Sequence, residues 1–393
     1  MAFSGLSTSK YFTPNLIGED VSEIIRTLAP YEAPFLDWLG DPSGFATNTK
    51  HEFIEDFMSP RTIINSTAIN SATAATGVQI NGLGDALTVG QIIEITGPAP
   101  EFGQITSIVS GGNSILFSRN YDGGGTGSLA AGGTIRVKAP SAEEGHEHAG
   151  LSTAHLGNRR ANTVGYFNVE IGATNTGRMV NLYGGDSYEM LRAKKLRELP
   201  ALLEAEVLTG VWNGTNSLGT TTAPSGRTMQ GLRTMIQSPA NGVPINSSVV
   251  DASFSANPHL YLGDAFQNVF NNGAATTETW GIIADAQYFR DISNMNDTKV
   301  LDSNKSELFQ RLIRDYVGPF GHATVFLSRA LRQRELLIVP RERVRVLPLN
   351  QRNFTYLEMG LTGDNQKGEL VGEYVVEGYH TGAMARIRTS SPV

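Results

Sequence analysis

Between Asp186 and Gly214 apolar residues return at helical steps, at Tyr188, Leu191, Leu199, Leu202, Val207 and Val211, while Arg192, Lys194, Lys195, Arg197, Glu198, Glu204 and Glu206 mostly fall elsewhere. That period predicts one amphipathic helix with a buried and a polar face. Asp186 followed by Glu189 has the form of a capping box, and Gly214 suits the left-handed residue that stops a helix. At the rise of an α-helix the segment spans roughly 40 Å, longer than a small domain is wide, so it reads as a spine on which other elements lean. Pro200 lacks an N–H and crowds the preceding turn, which predicts a bend over Leu196 to Pro200; the apolar period resumes beyond it.

Upstream, residues 1–13 are small and polar and predict an extended arm ordered by a partner. Val21, Ile24, Ile25 and Leu28 predict a short helix closed by Ala29 and Pro30, and Phe35, Leu36, Trp38 and Leu39 form a second apolar group. His51 to Met58 alternates polar and apolar residues as a half-exposed strand does, with an acidic side. From Gly77 to Lys138 the pattern changes to short β-branched runs, VQI, IIEIT, QITSIVS, SILFSR and TIRVK, separated by glycine-rich turns. These predict a small barrel or sandwich with a core of Ile80, Val89, Ile92, Ile95, Ile105, Ile108, Leu116, Ile135 and Val137. Ala161 to Ile171 predicts one long strand leading into the spine. Helices are then expected at Leu260 to Asn271, Ala286 to Met295 and Leu308 to Tyr316, and strands at Trp280 to Ala284, Val325 to Ser328, Glu335 to Val339 and Val344 to Leu347. The last apolar runs flank Gly378 to Gly382 and predict a terminal hairpin.

The 393 residues, 40% of them hydrophobic, suit a globular chain of about two or three domains. A net charge of −7 argues against a surface whose main task is to neutralise phosphates. No apolar run approaches the ~18 residues of a membrane span, and MAFSGLSTSK lacks the apolar stretch of a signal peptide, so the cytosol is the expected site of synthesis. Cysteine is absent, which removes disulfides and thiolate chemistry together. The 43 glycines favour many tight turns and a strand-rich fold.

Candidate chemistry is thin. His146, His148 and His155 could present imidazoles to a metal, but they lie beside Glu143, Glu144 and Glu147 in what reads as a solvated connection. Gly123, Gly124, Gly125 and Gly127 resemble a phosphate loop only in composition, because a strand follows them and no lysine does. His51, His259, His322 and His380 are isolated, and neither a GxSxG elbow nor an HExxH pair occurs. No cofactor, metal or catalytic residue is therefore expected. The basic run Arg192, Lys194, Lys195 and Arg197 opposes the helix dipole in the first half of the spine, a small penalty relieved if an acidic surface approaches. Glu52, Glu55 and Asp56 supply charge of matching sign, which makes these seven residues candidates for an intersubunit contact.

Taken in order, the N-terminal arm, APYEAPFLDWLG, the strand at His51 to Met58, ANTVGYFNVEIGAT, the spine, YVGPFG, LLIVP, RVRVLPL and GDNQKGELVGEYVVEGYHTGAMARI resemble the major capsid protein of tailed bacteriophages with the Hong Kong 97-type fold. The resemblance rests on the order of the elements; the last block is its most specific part. It implies an α+β fold with a long spine helix, an N-terminal arm, an extended loop, peripheral and axial domains, and a small all-β insertion. The corresponding boundaries are 1–45 for the arm and short helix, 46–76 and 139–171 for the extended loop, and 77–138 for the insertion. The peripheral domain is then 172–228 with 351–393, and the axial domain 229–350.

The same resemblance implies self-assembly into hexamers and pentamers of an icosahedral or prolate shell around double-stranded DNA held non-specifically. It also implies a separate scaffolding protein, since no such segment precedes the arm, together with a portal and a decoration protein. The chain would be uncleaved and would act in the virion, after assembly in the host cytoplasm. The competing expectation is a soluble enzyme or carbohydrate-binding module with its ligand site on the β-insertion.

Overall fold

The computed structural model describes residues 33–41, 44–55, 62–69, 78–80, 87–96, 100–109, 114–124, 127–141, 158–180, 187–212, 226–237, 248–250, 254–271, 273–295, 315–360 and 363–388. The expected arm, the helix at Val21 to Leu28, Asp56, Asp186, Gly214 and the stretch from Leu308 to Arg314 lie outside them. Two compact units divide the chain: a larger one of Ala33–Tyr166, Leu203–Asn353 and Glu373–Val393, and a smaller one that includes Phe167–Leu202 and Phe354–Gly372. The division falls inside the spine and inside two long strands, Gly165–Thr174 and Asn365–Gly378.

In the larger unit helix α1 (Pro34–Leu39) opens on a proline, whose fixed φ suits a first turn, and stops at Gly40 with φ 78°. Its Trp38 lies on Phe326 and over Gly281, where a Cβ would come within 2.7 Å of the indole. Strand β1 (Lys50–Glu55) pairs antiparallel with β8 (Asn158–Thr163), Lys50 opposite Thr163 and Glu55 opposite Asn158, in a two-stranded ribbon. The expected single strand over Ala161 to Ile171 is thus two, β8 and β9 (Gly165–Thr174), parted at the buried Val164.

Between β1 and β8 come β2 (Thr62–Ile64), β3 (Val78–Gln79), β4 (Gln91–Ile95), β5 (Glu101–Ile108), β6 (Ser114–Ser118) and β7 (Thr134–Pro140), in one sheet of order β2-β7-β4-β5-β6-β3. A bridge from Asn65 to Ile80 joins the ends of the two outer strands, so the sheet closes on itself and its edges are used up. Inside lie Ile63, Ile69, Val78, Ile80, Leu87, Ile93, Ile95, Ile105, Ile115, Phe117, Leu129 and Ile135. Ile108 and Val137 pack at the margin, whereas Val89 is exposed. Ile93 points inward in place of Ile92, and Ile115 and Phe117 in place of Leu116. Inward positions on a strand are two apart, so a buried Ile95 selects Ile93 and excludes Ile92. The module also starts before Gly77, because β2, expected in the extended loop, pairs with β7.

The main core belongs to a mixed sheet of β10 (Ser248–Val250), β11 (Trp280–Ala284), β12 (Asp315–Gly318), β13 (Gly321–Leu327), β14 (Glu335–Pro340) and β18 (Ala385–Arg388), ordered β10-β18-β14-β11-β13-β12. Strands β11 and β14 are buried along their whole length, which explains their unbroken apolar sequences. Helices α5 (Pro258–Asn271) and α6 (Ala286–Ser293) supply Leu262, Phe266, Val269, Tyr288 and Ile292 to the core. Asp285 caps α6 by accepting the N–H groups of Gln287 and Tyr288. Tyr316, expected at a helix end, lies in β12. The expected terminal hairpin is absent. Strand β17 (Asn365–Gly378) pairs with β15 (Val344–Pro348), while β18 pairs with β14 and β10 in the other sheet. A 3₁₀ turn at Thr381–Ala383, preceded by His380 at φ 50°, redirects the chain, and a place beside the buried β14 outweighs local pairing.

In the smaller unit β16 (Thr355–Met359) pairs antiparallel with β17, Thr355 opposite Val371 and Met359 opposite Lys367, and β9 also pairs with β17. After the short α2 (Asn175–Met179) comes the spine, α3 (Ser187–Thr209), which runs through Pro200 as one helix. Ile171, Tyr188, Leu199 and Leu370 form the core, flanked by Val169, Leu191, Phe354 and Tyr356. Of the expected inward residues of α3, Tyr188, Leu199 and Val207 are buried, while Leu202 and Val211 are exposed and Leu203, Glu204 and Leu208 are buried in their stead. Gly210 follows the last turn, well before the expected stop at Gly214, in a close backbone approach: a Cβ there would meet the Glu206 and Met229 carbonyls at 2.5 and 2.6 Å. Helix α4 (Leu232–Gln237) follows in the larger unit.

Candidate functional site

The period of a strand separates the ribbon residues. Lys50, Glu52 and Ile54 share one face, and His51, Phe53 and Glu55 the other, so Glu52 and Glu55 do not form one acidic side. On the outer face Glu52 meets Lys50 Nζ at 2.6 Å and Arg159 at 3.3 Å, and the Lys50 hydrogen bond holds its carboxyl below the ordinary value. Ile54 is exposed beside them.

On the inner face Glu55 is 1% exposed. It accepts the His380 N–H at 2.9 Å and meets Arg160 Nη1 at 3.3 Å, and the same Arg160 nitrogen donates to Thr381 Oγ1. His51 Nε2 lies 2.5 Å from Glu377 Oε1, while Glu377 Oε2 accepts the Tyr379 hydroxyl at 3.0 Å. Burial, then the Glu377 charge, pushes the Tyr379 phenol up to about 12. Ionisable groups thus fasten the ribbon within the larger unit, and Glu55 is spent on that task, not presented outward.

The basic run of α3 is likewise divided. Lys195 pairs with Glu198 at 2.6 Å, and Arg192 lies 3.7 Å from Glu189 with its guanidinium 4.2 Å over the Tyr356 ring. Lys194 and Arg197 are exposed and carry no ion pair among the described residues. Among the described residues, Glu52 and Glu55 pair with Lys50, Arg159 and Arg160 of their own unit, and Arg192 and Lys195 with Glu189 and Glu198 of theirs.

Sequence reasoning missed Glu204, assigned to the polar face. It is buried, and its carboxylate accepts Phe35 N–H at 2.9 Å and Leu36 N–H at 3.4 Å, at the start of α1, and Ser328 Oγ–H at 2.8 Å. A signal existed: the residue ahead of α1 is Ala33, which has no capping side chain, so the cap must come from elsewhere. The glycine-rich turn also holds an internal anion. Glu101 accepts the N–H groups of Gly127 at 2.7 Å and Asn120 at 3.0 Å and pairs with Arg119 at 2.5 Å. The three histidines at 146, 148 and 155 lie outside the described residues, among which no metal-holding cluster occurs and no helix is long and apolar enough to cross a membrane.

Among the described residues, large apolar side chains such as Ile54, Met190, Leu202 and Leu357 are exposed. The chain belongs to the SU10 major capsid protein family, whose sequence model matches residues 5–391. It is a structural protein of the capsid shell, as the order of its elements led us to expect, and the enzyme alternative finds no support. Among solved structures, the capsid of an empty GTA particle computed with C5 symmetry matches with a TM-score of 0.52 and 8% identity, over 98% of this chain and 99% of that one. The capsid of the native GTA particle matches at 0.51 and 8%, over the same shares. At that identity the likeness establishes the fold, a capsid fold of mixed helices and strands. No curated protein sequence matches the chain.

Proposed function

We propose that this chain builds a closed icosahedral or prolate shell from rings of six and five copies around double-stranded DNA, in the Hong Kong 97 manner. The observation that carries this reading is the family match over residues 5–391. In it, the smaller unit with α3 acts as the peripheral domain, the sheet of β10 to β14 with β18 as the axial domain, and the ribbon as the root of the extended loop. The barrel is an insertion displayed outward; its support is that the chain enters it after β1 and leaves it before β8, the two strands of one ribbon. Residues 1–13 serve as an arm ordered by a neighbouring copy. Of the charged candidates, Lys194 and Arg197 serve contacts between copies, while Glu52 is shared with Lys50 and Arg159 of its own chain. Arg192 and Lys195 are shared with partners in their own chain, and Asp56 stands beyond the described part of the ribbon. A separate scaffolding protein, a portal and a decoration protein complete the particle, which assembles in the host cytoplasm. Electron microscopy of particles from cells making the chain and its scaffold tests this. Rings of six and five copies with outward knobs are expected; an open lattice or a lone small ring would refute it.

A further inference from the structure

A tryptophan in a core brings an N–H that needs an acceptor. Trp280, the first residue of β11, is 2% exposed and meets the Phe266 ring edge-on at 5.7 Å. Its Nε1–H is fully buried and reaches no acceptor among the described residues, a rarity in native folds that asks for a cause. The surroundings supply one. Trp280 lines a cavity of about 10 Å³ together with Phe266, Phe270, Thr276 and Phe320. Phe270 and Phe320 stand in ring contact at 5.8 Å and form part of its apolar wall. The turn between β12 and β13 contributes Gly321, at φ 146°. The point that a Cβ on Gly321 would take lies 3.3 Å from the Thr276 carbonyl oxygen and 3.8 Å from Trp280 Nε1. Glycine thus leaves a small space between a donor and an acceptor that do not meet each other.

We propose that this cavity binds one ordered water, which accepts the Trp280 Nε1–H and donates to the Thr276 carbonyl. Size selects the ligand: a volume near 10–15 Å³ is about what a single water needs, together with two or more polar partners. Chemistry selects it too. Cavities that stay dry are apolar throughout, whereas this one holds a buried N–H and faces a carbonyl, and its lining carries no charged side chain that would call for an ion. A water both accepts and donates, so it joins a donor to an acceptor where a lone acceptor or a lone donor serves only one of them. The bound water ties the tip of the β12–β13 turn to the loop after α5 and to the start of β11. Gly321 is then required twice, for its backbone angle and because a methyl group would stand where the water enters. This inference concerns the fold of one chain and does not rest on the shell reading.

The chain has three tryptophans, so nitrogen-15 labelling gives three indole N–H signals, and the one lost in Trp280→Phe is that of Trp280. In the unsubstituted chain, free or as sedimented particles, this proton should receive dipolar magnetisation transfer from a water that stays bound longer than the molecule tumbles. In Gly321→Ala the transfer should be lost while the signal remains. No transfer in the unsubstituted chain would overturn the proposal, as would undiminished transfer in a folded Gly321→Ala chain. Alanine at φ 146° also bears backbone strain, so a second measurement uses the unsubstituted chain alone. A density map that resolves waters should show an isolated peak about 2.7–3.2 Å from Trp280 Nε1. An oxygen atom of a second copy in that place, or no peak at all, would equally overturn the proposal.

Discussion

Glu204 offers the sharpest test of how the larger unit holds together. Its carboxylate receives one good backbone hydrogen bond from α1 at 2.9 Å, a longer one at 3.4 Å, and the Ser328 hydroxyl at 2.8 Å. Hydrogen bonds to a charged group contribute about 1.5–3 kcal/mol each, and the desolvation of the carboxylate offsets part of that. Glu204→Ala leaves the buried Phe35 N–H without an acceptor and should destabilise the unit by about 3 kcal/mol. Glu204→Gln keeps a carbonyl for Phe35 and offers its amide to Ser328, so it should lose only about 1 kcal/mol. The two variants also differ in pH response. Burial pushes the Glu204 carboxyl above its ordinary 4.5, against the pull of Ser328, Phe35 and Leu36. A carboxyl raised on folding stabilises fully below its unfolded value and loses that contribution as pH rises through the folded one. The Gln variant lacks this term. Urea unfolding followed by the fluorescence of Trp38, on α1 itself, should show a smaller decline of stability above pH 4.5 for Gln than for the unsubstituted chain. An Ala variant as stable as Gln, or a Gln variant with the original pH slope, would refute the capping role.

In the barrel, Arg119→Ala strips the buried Glu101 of its counter-ion and should cost about 3–5 kcal/mol, read as lost amide protection in β5 and β6. Burial opposes the Glu101 charge, but the Arg119 hydrogen bond and the Gly127 and Asn120 N–H groups outweigh it and hold the carboxyl below 4.5. Barrel protection should therefore be present above that pH and fade as pH falls through the lower folded value. Gly210→Ala drives a Cβ into two carbonyls and should lower the thermal midpoint clearly, whereas Gly226→Ala, with nothing within 4 Å, should leave it nearly unchanged. Burial, then the Tyr356 hydroxyl, raises the Tyr188 phenol to about 12, so a spectrophotometric titration should lose one late-ionising tyrosine in Tyr188→Phe.

Strands buried on both faces, such as β11 and β14, were legible because nothing but continuous apolar sequence satisfies them. The barrel was legible as a module but not in its register: Ile92 and Ile93 are both apolar, and only the far wall decides which one turns inward. The same period of two hid the split between Glu52 and Glu55. Glu204 was opaque for another reason, since its partners Phe35 and Ser328 are distant in sequence and no local pattern announces a cap delivered from elsewhere. The terminal strands failed as a hairpin because glycines mark a change of direction without saying which sheet receives the next strand. The outward faces of the smaller unit could not be read at all, because an exposed Leu or Met looks like a core residue in a sequence.

The central claim, that the chain closes into a shell of many copies, is tested most directly by sedimentation velocity on the protein over a wide range of concentration. One fast, narrow boundary of closed particles is the expected result. A protein that stays a monomer or dimer at every concentration would contradict it.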